Sequence, residues 1–553
     1  MINEGSILKN KTIKAKKGIT FYNLILEYHG NKENVKDIAI CKLNGKYHGL
    51  TEEIQEDGEV ELIGFDTEIG IKIYTRTLQF IFIKVALDLF PQAKITIEHA
   101  ISKAVYGEIH KETPLNEEEI NKIKTKMQEI IDRDVPINSI ITSKEKAMEI
   151  FRGYKMEDKV KLLKYYNIKD VHLYELEGRY DYFYGSMAYS TGVIRTFNVF
   201  HYESGFILQR PFKKNLYELP QFKEQKSLTK IFLETERWLT ILGIEDVGTL
   251  NEKVLNKELR NVIMVSEGLH EKKIANIADE IFNKKDVKVI LIAGPSSSGK
   301  TTFANRLSIQ LRVNGLIPIP VSLDNYFVNR IDTPKDENGD FDYESINALD
   351  LNLLNNNLER LMKGEEVELP IYNFKTGEKE WKDYRVKLPE NGVLILEGIH
   401  GLNPNLISDE LNKNVFKIYI SALTQLNIDN HNRISTTDVR KVRRIVRDSL
   451  SRGYGAEDTL KMWKSIKNGE KNNIFVYQEQ ADVAFNSTLV YELGVLKPYA
   501  LKELNKITEE SPVYSEAIRL KAFLSFFETI DIEEVPKNSL LREFIGGSAF
   551  YEY

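Results

Sequence analysis

Short apolar runs separated by turn residues open the chain. Residues 38–43 are mostly apolar and are followed by Asn44 and Gly45, which tolerate the positive φ of a type I′ turn. Residues 59–62 alternate between acidic and apolar side chains, as a half-buried strand does. With a helix predicted over residues 22–28, the first block is expected to be a small sheet with a helix.

Longer apolar stretches follow in the second block, residues 66–219. Residues 78–90 predict a buried helix that ends before Pro91. Another helix is predicted to begin at Asn116, because Glu119 completes a capping box and apolar residues then recur at helical spacing. We expect this block to be an α+β domain.

Strands and helices alternate over residues 286–500. Residues 287–292 form a short apolar run bounded by a Gly-Pro pair, which is typical of a buried parallel strand. The alternation predicts an α/β domain with a doubly wound parallel sheet. A charged helical connector, residues 220–285, is expected before this domain, and a helical tail, residues 501–553, after it.

Composition narrows the class of protein. The 553 residues are 42% hydrophobic, and the net charge of −6 argues against a globally basic nucleic-acid coat. Cys41 is the sole cysteine, which excludes a disulfide framework and a cysteine-based zinc cluster. The amino terminus has no apolar signal core, and residues 78–90 are too short to span a bilayer. We therefore expect a cytoplasmic protein with no membrane contact.

One segment matches the phosphate-loop pattern G-x-x-x-x-G-K-[ST] between a predicted strand and a predicted helix. Its glycines let successive backbone N–H groups face phosphates, and the new helix adds its positive dipole end. The alternative is a merely flexible Ser/Gly-rich turn. The segment predicts ATP and Mg²⁺ as cofactors, with a lysine on the β and γ phosphates and a threonine hydroxyl on the metal. The residues expected to bind the nucleotide are Gly294, Pro295, Ser296, Ser297, Ser298, Gly299, Lys300, Thr301 and Thr302.

Two acidic residues follow buried strands of the same block. Asp324 comes after residues 321–323, and Glu397 comes after residues 393–396. Ligands bind at the carboxyl ends of strands in doubly wound sheets. Asp324 is a candidate to accept a proton from an acceptor hydroxyl or to help hold Mg²⁺, and Glu397 to hold a magnesium-bound water. An Asx turn at Asp324 and a strand-end cap at Glu397 are the alternatives.

The stretch from Asp438 to Arg452 predicts a helix with an apolar face and a cationic face. Arg440, Arg444 and Arg447 lie four and three positions apart, so they share one face. Such a stripe suits a lid whose guanidinium groups stabilise a phosphate in transfer. The alternative is a solvated face of ion pairs. The apolar face is predicted to comprise Val439, Val442, Val446 and Leu450.

In order and spacing, these segments resemble the uridine kinase and phosphoribulokinase family, specifically its uridine–cytidine kinase branch. The matching pieces within residues 286–500 are GPSSSGKTT, SLDNYF, DFDYESINALD, PIYNF, LILEGIHGL and RRIVRDSLSRG. The resemblance implies that Asp324 deprotonates a nucleoside 5′-hydroxyl, Asp342 grips the ribose diol and Tyr372 contacts the base. It also implies that catalysis uses Lys300 together with the lid and acceptor-side arginines Arg444, Arg447 and Arg452.

One departure affects the expected acceptor. That branch usually places a base-reading His shortly after its Tyr-Asp-Phe segment, whereas Tyr372-Asn373-Phe374 is followed here by Lys375 and Thr376. The departure puts pyrimidine specificity in doubt. A kinase for another small hydroxyl compound, such as a sugar phosphate or a pantothenate-like acceptor, stays an alternative.

The first 65 residues resemble a TGS domain, the β-grasp module of threonyl-tRNA synthetases and some GTPases. Residues 66–219 resemble the additional, editing-type domain of those synthetases, most clearly over residues 181–192. The family's four metal-ligand positions fall on residues that suit zinc poorly, which implies a retained fold without editing chemistry. Those positions are Arg76, Phe80, Phe183 and Met187.

Two hypotheses of different class result. The first is a nucleoside kinase whose amino-terminal half is non-catalytic and regulates or assembles it, with a homo-oligomer expected. The second is an RNA-associated regulator that uses ATP binding as a switch. It is motivated by the TGS-like module and by the basic run from Lys9 to Lys17, which alternatively is one solvated face of a strand.

Overall fold

The computed structural model describes residues 12–551 except 336–338, 340, 410 and 425. Lys9 and Lys11 of the basic run, and Asp340 of the DFDYESINALD segment, therefore lie outside the described residues. None of the described helices combines the length and the apolar composition that a bilayer crossing requires.

The first block is an antiparallel four-stranded sheet that packs on a helix. Its strand order is β1-β4-β2-β3. The predicted turn joins β2 and β3, with φ of 49° at Asn44 and 76° at Gly45. The strands are β1 (Thr12–Ala15), β2 (Ile38–Leu43), β3 (Lys46–His48) and β4 (Gly58–Gly64), and the helices are α1 (Phe21–His29) and α2 (Lys32–Val35).

The second block contains two antiparallel sheets, ordered β10-β11-β6-β5 and β7-β8-β9. Its first helix begins ten residues before the predicted start at residue 78, because the Thr67 hydroxyl caps it by accepting a hydrogen bond from the Gly70 N–H. The predicted capping box at Asn116 is confirmed. The helices are α3 (Glu68–Leu89), α4 (Glu117–Asp132), α5 (Lys144–Gly153) and α6 (Glu157–Tyr165). The strands are β5 (Lys94–Ile101), β6 (Ala104–His110), β7 (Asn138–Ser143), β8 (Asp170–Leu176), β9 (Arg179–Asp181), β10 (Asn198–Tyr202) and β11 (Gly205–Gln209).

The third segment is helical and also part of the core. It consists of α7 (Lys226–Leu242), α8 (Val247–Leu255) and α9 (Leu259–Asn283). Val247 of α8 and Val262 of α9 share one apolar cluster with Leu163 of α6 and with Val442 of the fourth block. This segment therefore joins the hydrophobic cores of its two neighbours.

The fourth block is built on a five-stranded parallel sheet in the order β13-β18-β12-β19-β22. The chain leaves the central strand β12 on one side and later crosses to the other, which places a ligand-binding crevice at the carboxyl end of β12. The sheet strands are β12 (Val289–Ala293), β13 (Ile317–Ser322), β18 (Gly392–Glu397), β19 (Val415–Ser421) and β22 (Val483–Asn486). Shorter strands are β14 (Glu366–Glu368), β15 (Ile371–Asn373), β16 (Glu378–Glu380), β17 (Arg385–Lys387), β20 (Asn427–Asp429) and β21 (Asn432–Arg433).

Helices surround this sheet and continue into the tail. Gly453, beyond the end of α12, has a φ of 72°, as expected for a helix stop. The helices of the fourth block are α10 (Lys300–Val313), α11 (Leu351–Met362), α12 (Thr436–Ser451), α13 (Ala456–Asn473) and α14 (Glu492–Leu504). The tail adds α15 (Tyr514–Leu524) and α16 (Arg542–Ile545), and both pack into the core.

A buried ionic cluster joins the second and fourth blocks. The Lys159 ammonium lies 3.1 Å from Asp181 and 2.9 Å from Asp429, and all three side chains are almost fully buried. His431 Nδ1 lies 2.7 Å from Asp181 Oδ2. Burial alone would lower the pKa of Lys159, but Asp181 and Asp429 raise it.

Candidate active site

The phosphate loop lies between the carboxyl end of β12 and the first residue of α10. A Cβ atom on Gly294 would lie 2.3 Å from the Ile420 carbonyl oxygen, so a larger residue does not fit against β19. Ser297 and Gly299 adopt positive φ values of 59° and 85°. Such left-handed residues let successive backbone N–H groups gather into an anion-binding concavity.

The Lys300 side chain folds back along this loop. Its Nζ donates to the carbonyl oxygens of Gly294 at 3.1 Å and Pro295 at 3.3 Å. Burial lowers the pKa of Lys300, while the nearby carboxylates of Glu397 and Asp324 oppose that shift. The ammonium therefore lies inside the loop and next to two acids.

Two carboxylates accept hydrogen bonds from backbone N–H groups, one in the phosphate loop and one in α10. Glu470 Oε1 accepts from the Ser296 N–H at 2.9 Å, and Glu543 Oε2 accepts from the Thr302 N–H at 3.1 Å. Glu470 also pairs with the buried Arg440. The N–H groups at the start of a helix are suited to phosphate for the same reason that they hold these carboxylates.

Glu397 lies at the end of β18, beside Ser322 at the end of β13. Its Oε1 accepts from the hydroxyls of Thr301 at 3.4 Å and Ser322 at 3.2 Å. Burial and the proximity of Asp324 raise the pKa of Glu397 to about 7. Carboxylate and hydroxyl oxygens are ligands that Mg²⁺ accepts, so Thr301 and Glu397 fit the predicted metal role. Within the described ranges, no three His, Cys, Asp or Glu side chains are arranged to hold a metal ion.

Asp324 lies in the short turn that follows β13. It is close enough to Lys300 and Glu397 to influence the pKa of both groups. The neighbouring Asn325 side chain accepts from the Tyr372 N–H at 3.2 Å. The Tyr372 ring packs at 5.6 Å from Phe327 and 5.1 Å from Phe374, so an aromatic cluster adjoins the Asp324 turn.

Asp342 stabilises its own loop, and Glu344, two positions later, is influenced electrostatically by Arg444 and Lys300. Asp342 Oδ1 accepts from the Glu344 N–H at 3.1 Å, and its predicted contact with a ribose stays a prediction. Burial and the proximity of Glu470 raise the pKa of Glu344 to about 7, while Arg444 and Lys300 oppose the rise. Sequence reasoning missed Glu344, although it lies two positions after Asp342 in the same motif.

The predicted arginines converge on one acid. Arg444 Nε lies 3.0 Å from Asp448, Arg447 Nη2 lies 2.9 Å away, and the exposed Arg452 lies 3.8 Å away. Arg444 Nη1 also donates to the Ser296 hydroxyl at 2.6 Å. Arg447 is close enough to Lys300 to lower its pKa. Arg444 thus contacts the phosphate loop directly, and Arg447 lies near it.

Two expectations for α12 were wrong. Leu450 is 50% exposed, because the apolar stripe leaves the core in the last turn of the helix. Arg440 is buried and paired with Glu470, so it is part of the structure beneath the loop and not of a mobile cationic stripe. Arg443 is buried as well and pairs with Glu492 at 2.6 Å.

Comparison with known proteins identifies the family to which the carboxyl-terminal half of the chain is similar. The model of the phosphoribulokinase / uridine kinase family matches residues 289–492. A uridine kinase of Bacillus pumilus (strain SAFR-032) is 30% identical over 178 residues, which are 32% of this chain and 75% of that enzyme. The chain belongs to the phosphoribulokinase / uridine kinase family. A solved structure of a possible uridine kinase from Bacillus stearothermophilus aligns over 38% of this family member and 100% of that chain, at 20% identity and a TM-score of 0.25.

This member of the phosphoribulokinase / uridine kinase family also matches a protein of another kind. A probable cytoplasmic threonine–tRNA ligase of Encephalitozoon cuniculi (strain GB-M1) is 24% identical over 212 residues, or 38% of this chain. The chain spans only 32% of that ligase. The combination agrees with a fusion of a ligase-like amino-terminal half to a kinase domain.

Residues beyond the family match also reach the phosphate loop of this kinase-family chain. Besides Glu543, the Tyr551 hydroxyl lies 2.5 Å from Thr302 Oγ1. A Cβ atom on Gly299 would lie 3.0 Å from Leu540, so the tail packs directly against the loop. No motif in the sequence indicated these contacts, since they join residues far apart in the chain.

Four positions correspond to the metal ligands of the editing-type domain of threonyl-tRNA synthetases. In this chain they carry one arginine and three core side chains. The Phe80 and Phe183 rings pack with their centroids 5.2 Å apart, and Met187 is buried beside them. Arg76 donates to the Ser186 carbonyl oxygen. Neither ring nor the guanidinium offers a lone pair to a metal ion.

Proposed function

We propose that this chain is an ATP- and magnesium-dependent nucleoside kinase that phosphorylates a nucleoside 5′-hydroxyl. The observation that carries the proposal is that Asp324, Glu397 and Lys300 lie at or beyond the carboxyl ends of three adjacent parallel strands, β13, β18 and β12. A proton acceptor, a phosphate-neutralising cation and a metal-binding acid are thereby collected at one edge. The similarity to uridine kinases supports a nucleoside acceptor.

The side chains divide the reaction between them. Asp324 accepts the hydroxyl proton as the 5′-oxygen bonds to the γ-phosphorus and the bond to the β-phosphate oxygen breaks, releasing ADP. Lys300 and the loop N–H groups bind and orient the phosphates, and Arg444 and Arg447 stabilise the charge on the phosphoryl group. When bound through Thr301 and Glu397, Mg²⁺ supplies further neutralisation of phosphate charge.

The acceptor is held on the side of Asp342 and Tyr372. A carboxylate can accept hydrogen bonds from both hydroxyls of a ribose diol, and an aromatic cluster offers a flat surface to a base. The amino-terminal half is proposed to be non-catalytic and to regulate or assemble the kinase.

The test is a panel of nucleosides and sugars offered to purified full-length protein with ATP and Mg²⁺. We expect nucleoside-dependent ADP formation and a nucleoside 5′-monophosphate identified by mass spectrometry. Asp324→Asn should abolish turnover, whereas Asp332→Asn, at an exposed position, should not. If sugars were phosphorylated and nucleosides were not, the proposed acceptor would change from a nucleoside to a sugar. Absence of ATP consumption with every acceptor would refute it.

A further inference from the structure

A large cavity lies among the amino-terminal half, the fourth block and the tail. We call it the central cavity; it has a volume of ≈ 830 Å³ and is lined mainly by residues 45–52, 68–79, 183–186, 431–438 and 515–519. Pockets for small molecules typically measure about 300–1,000 Å³, so the central cavity accommodates a ligand as large as a nucleotide.

The charges of its lining are unequal. Six Lys or Arg side chains and three Asp or Glu side chains line the central cavity. Each acid already has a partner: Glu52 accepts from the Gly49 N–H, Glu68 pairs with Lys213 and Lys467, and Asp438 pairs with Arg519. The carboxylates are therefore occupied, and the excess charge of the cavity is positive.

Four of the cations have no carboxylate partner. Among the described residues, Lys72, Arg76, Arg210 and Arg433 form no ion pair. Arg76 and Arg210 each donate only to a backbone carbonyl oxygen. By surface area Lys72 is exposed and Arg76, Arg210 and Arg433 are half-buried, and all four side chains line the central cavity. Cations that line a cavity without a carboxylate partner are available for charge-assisted hydrogen bonds to a bound anion.

We propose that the central cavity binds a phosphorylated small molecule of nucleotide size through Lys72, Arg76, Arg210 and Arg433. Guanidinium groups match phosphate oxygens with two parallel hydrogen bonds, so three arginines can hold one or two phosphate groups. The aromatic side chains of Tyr47 and Tyr184 in the lining offer apolar surface to the remainder of the ligand. This site is separate from the phosphate loop and does not depend on the proposed kinase reaction.

The position of the site links it to the fourth block. Ser435 and Asp438, at the start of α12, line the central cavity, and Arg444 on the same helix contacts the phosphate loop. The start of a helix favours an anion. A ligand in the central cavity thus acts on the helix that also carries the arginines of the candidate active site.

Chemical labelling of Lys72 tests the proposal at the site itself. Full-length protein is acetylated with limiting acetic anhydride while pyrophosphate or uridine 5′-monophosphate is titrated, and each lysine is quantified by mass spectrometry. Either anion should protect Lys72 in a saturable manner and leave the exposed Lys126, outside the cavity lining, unprotected. Stronger protection by the monophosphate identifies an organic phosphate as the ligand, and stronger protection by pyrophosphate identifies an inorganic one. Labelling of Lys300 in the same spectra reports binding at the phosphate loop.

Matched variants locate the protecting ligand. Arg433→Gln and Arg76→Gln should each raise the half-protecting anion concentration about tenfold, since each removes a charge-assisted contact. Arg385→Gln, at an exposed position of β17 outside the cavity lining, should not change that concentration. Failure of both anions to protect wild-type Lys72 would overturn the proposal, and so would protection unchanged in both cavity variants. Protection by tRNA but by neither small anion would replace the small molecule with a nucleic acid.

Discussion

The carboxylate of Glu543 accepts a hydrogen bond from the backbone N–H of Thr302, the third residue of α10, at 3.1 Å. A phosphate bound at the start of this helix needs the same N–H group. A nucleotide bound as we propose would therefore compete with the tail for this N–H group. Repulsion between two anions makes this competition stronger than mere overlap would.

Glu543→Gln is expected to lower the dissociation constant for ATP about three- to tenfold, because a neutral amide repels phosphate less and is more easily displaced. The glutamine oxygen can still accept from Thr302, so the fold should be retained. Calorimetric titration with ATP measures the effect. Glu534→Gln, at an exposed position of the same tail, is the control. Weaker ATP binding in Glu543→Gln would show that the carboxylate assists the nucleotide instead.

Lys300→Ala is expected to lower kcat about 10²–10³-fold, because the alanine leaves the transferring phosphate without its neutralising cation. The fold should remain, since Lys300 is only half-buried and its described hydrogen bonds go to carbonyl oxygens of its own loop. Steady-state kinetics together with a thermal unfolding curve check both statements. Lys285→Ala, exposed just before β12, is the matched control. Near-normal turnover in Lys300→Ala would remove the phosphate loop from the reaction.

Glu344 should make stability depend on pH. Its pKa is raised from 4.5 to about 7, so the folded protein holds a proton that the unfolded chain releases between those values. The free energy of unfolding should therefore fall as pH rises from about 4.5 to 7. Glu344→Gln should reduce that fall, as measured by urea unfolding at pH 5 and pH 8. Glu129→Gln, exposed on α4, should behave like wild type. Equal pH dependence in Glu344→Gln and wild type would contradict the assignment.

Lys159→Met should destabilise the whole chain by about 3–5 kcal/mol, because it leaves Asp181 and Asp429 buried without their shared cation. Chemical denaturation followed by fluorescence measures the loss. Lys146→Met, exposed on α5, should change stability by no more than about 0.5 kcal/mol. A small loss of stability in Lys159→Met would mean that Asp181 and Asp429 become protonated or hydrated when the ammonium is removed.

Local signals predicted the phosphate loop and much of its surroundings. The loop is a run of consecutive residues whose backbone conformation depends on its own glycines. The strands β13, which ends two residues before Asp324, and β18, which ends in Glu397, are short and largely apolar. The helix that begins at Asn116 was predictable for the same reason, since a capping box lies within four residues. The start of α3 was missed, because polar residues such as Lys72 and Arg76 interrupt its apolar pattern where it faces the central cavity.

Contacts between distant segments could not be predicted. Glu543 and Thr302 are 241 positions apart, and Ser296 and Glu470 are 174 apart. The residues around Glu470 and Glu543 in the sequence give no sign that either side chain is buried against the phosphate loop. Their role arises because the tail and α13 fold against a loop that already presents free N–H groups. Leu450 shows the converse limit, since helical spacing placed it on an apolar face that ends one turn earlier.

The cluster around Lys159 makes each half of the chain depend on the other for the neutralisation of its charges. The cation that neutralises Asp429 is encoded in the ligase-like half, and the imidazole that lies against Asp181 is encoded in the kinase half. A kinase released from its fusion partner would carry a bare carboxylate on its newly exposed surface, and the partner would carry an ammonium and a carboxylate there. Either half, made as a separate protein, would therefore need substitutions at these positions to restore its charge balance.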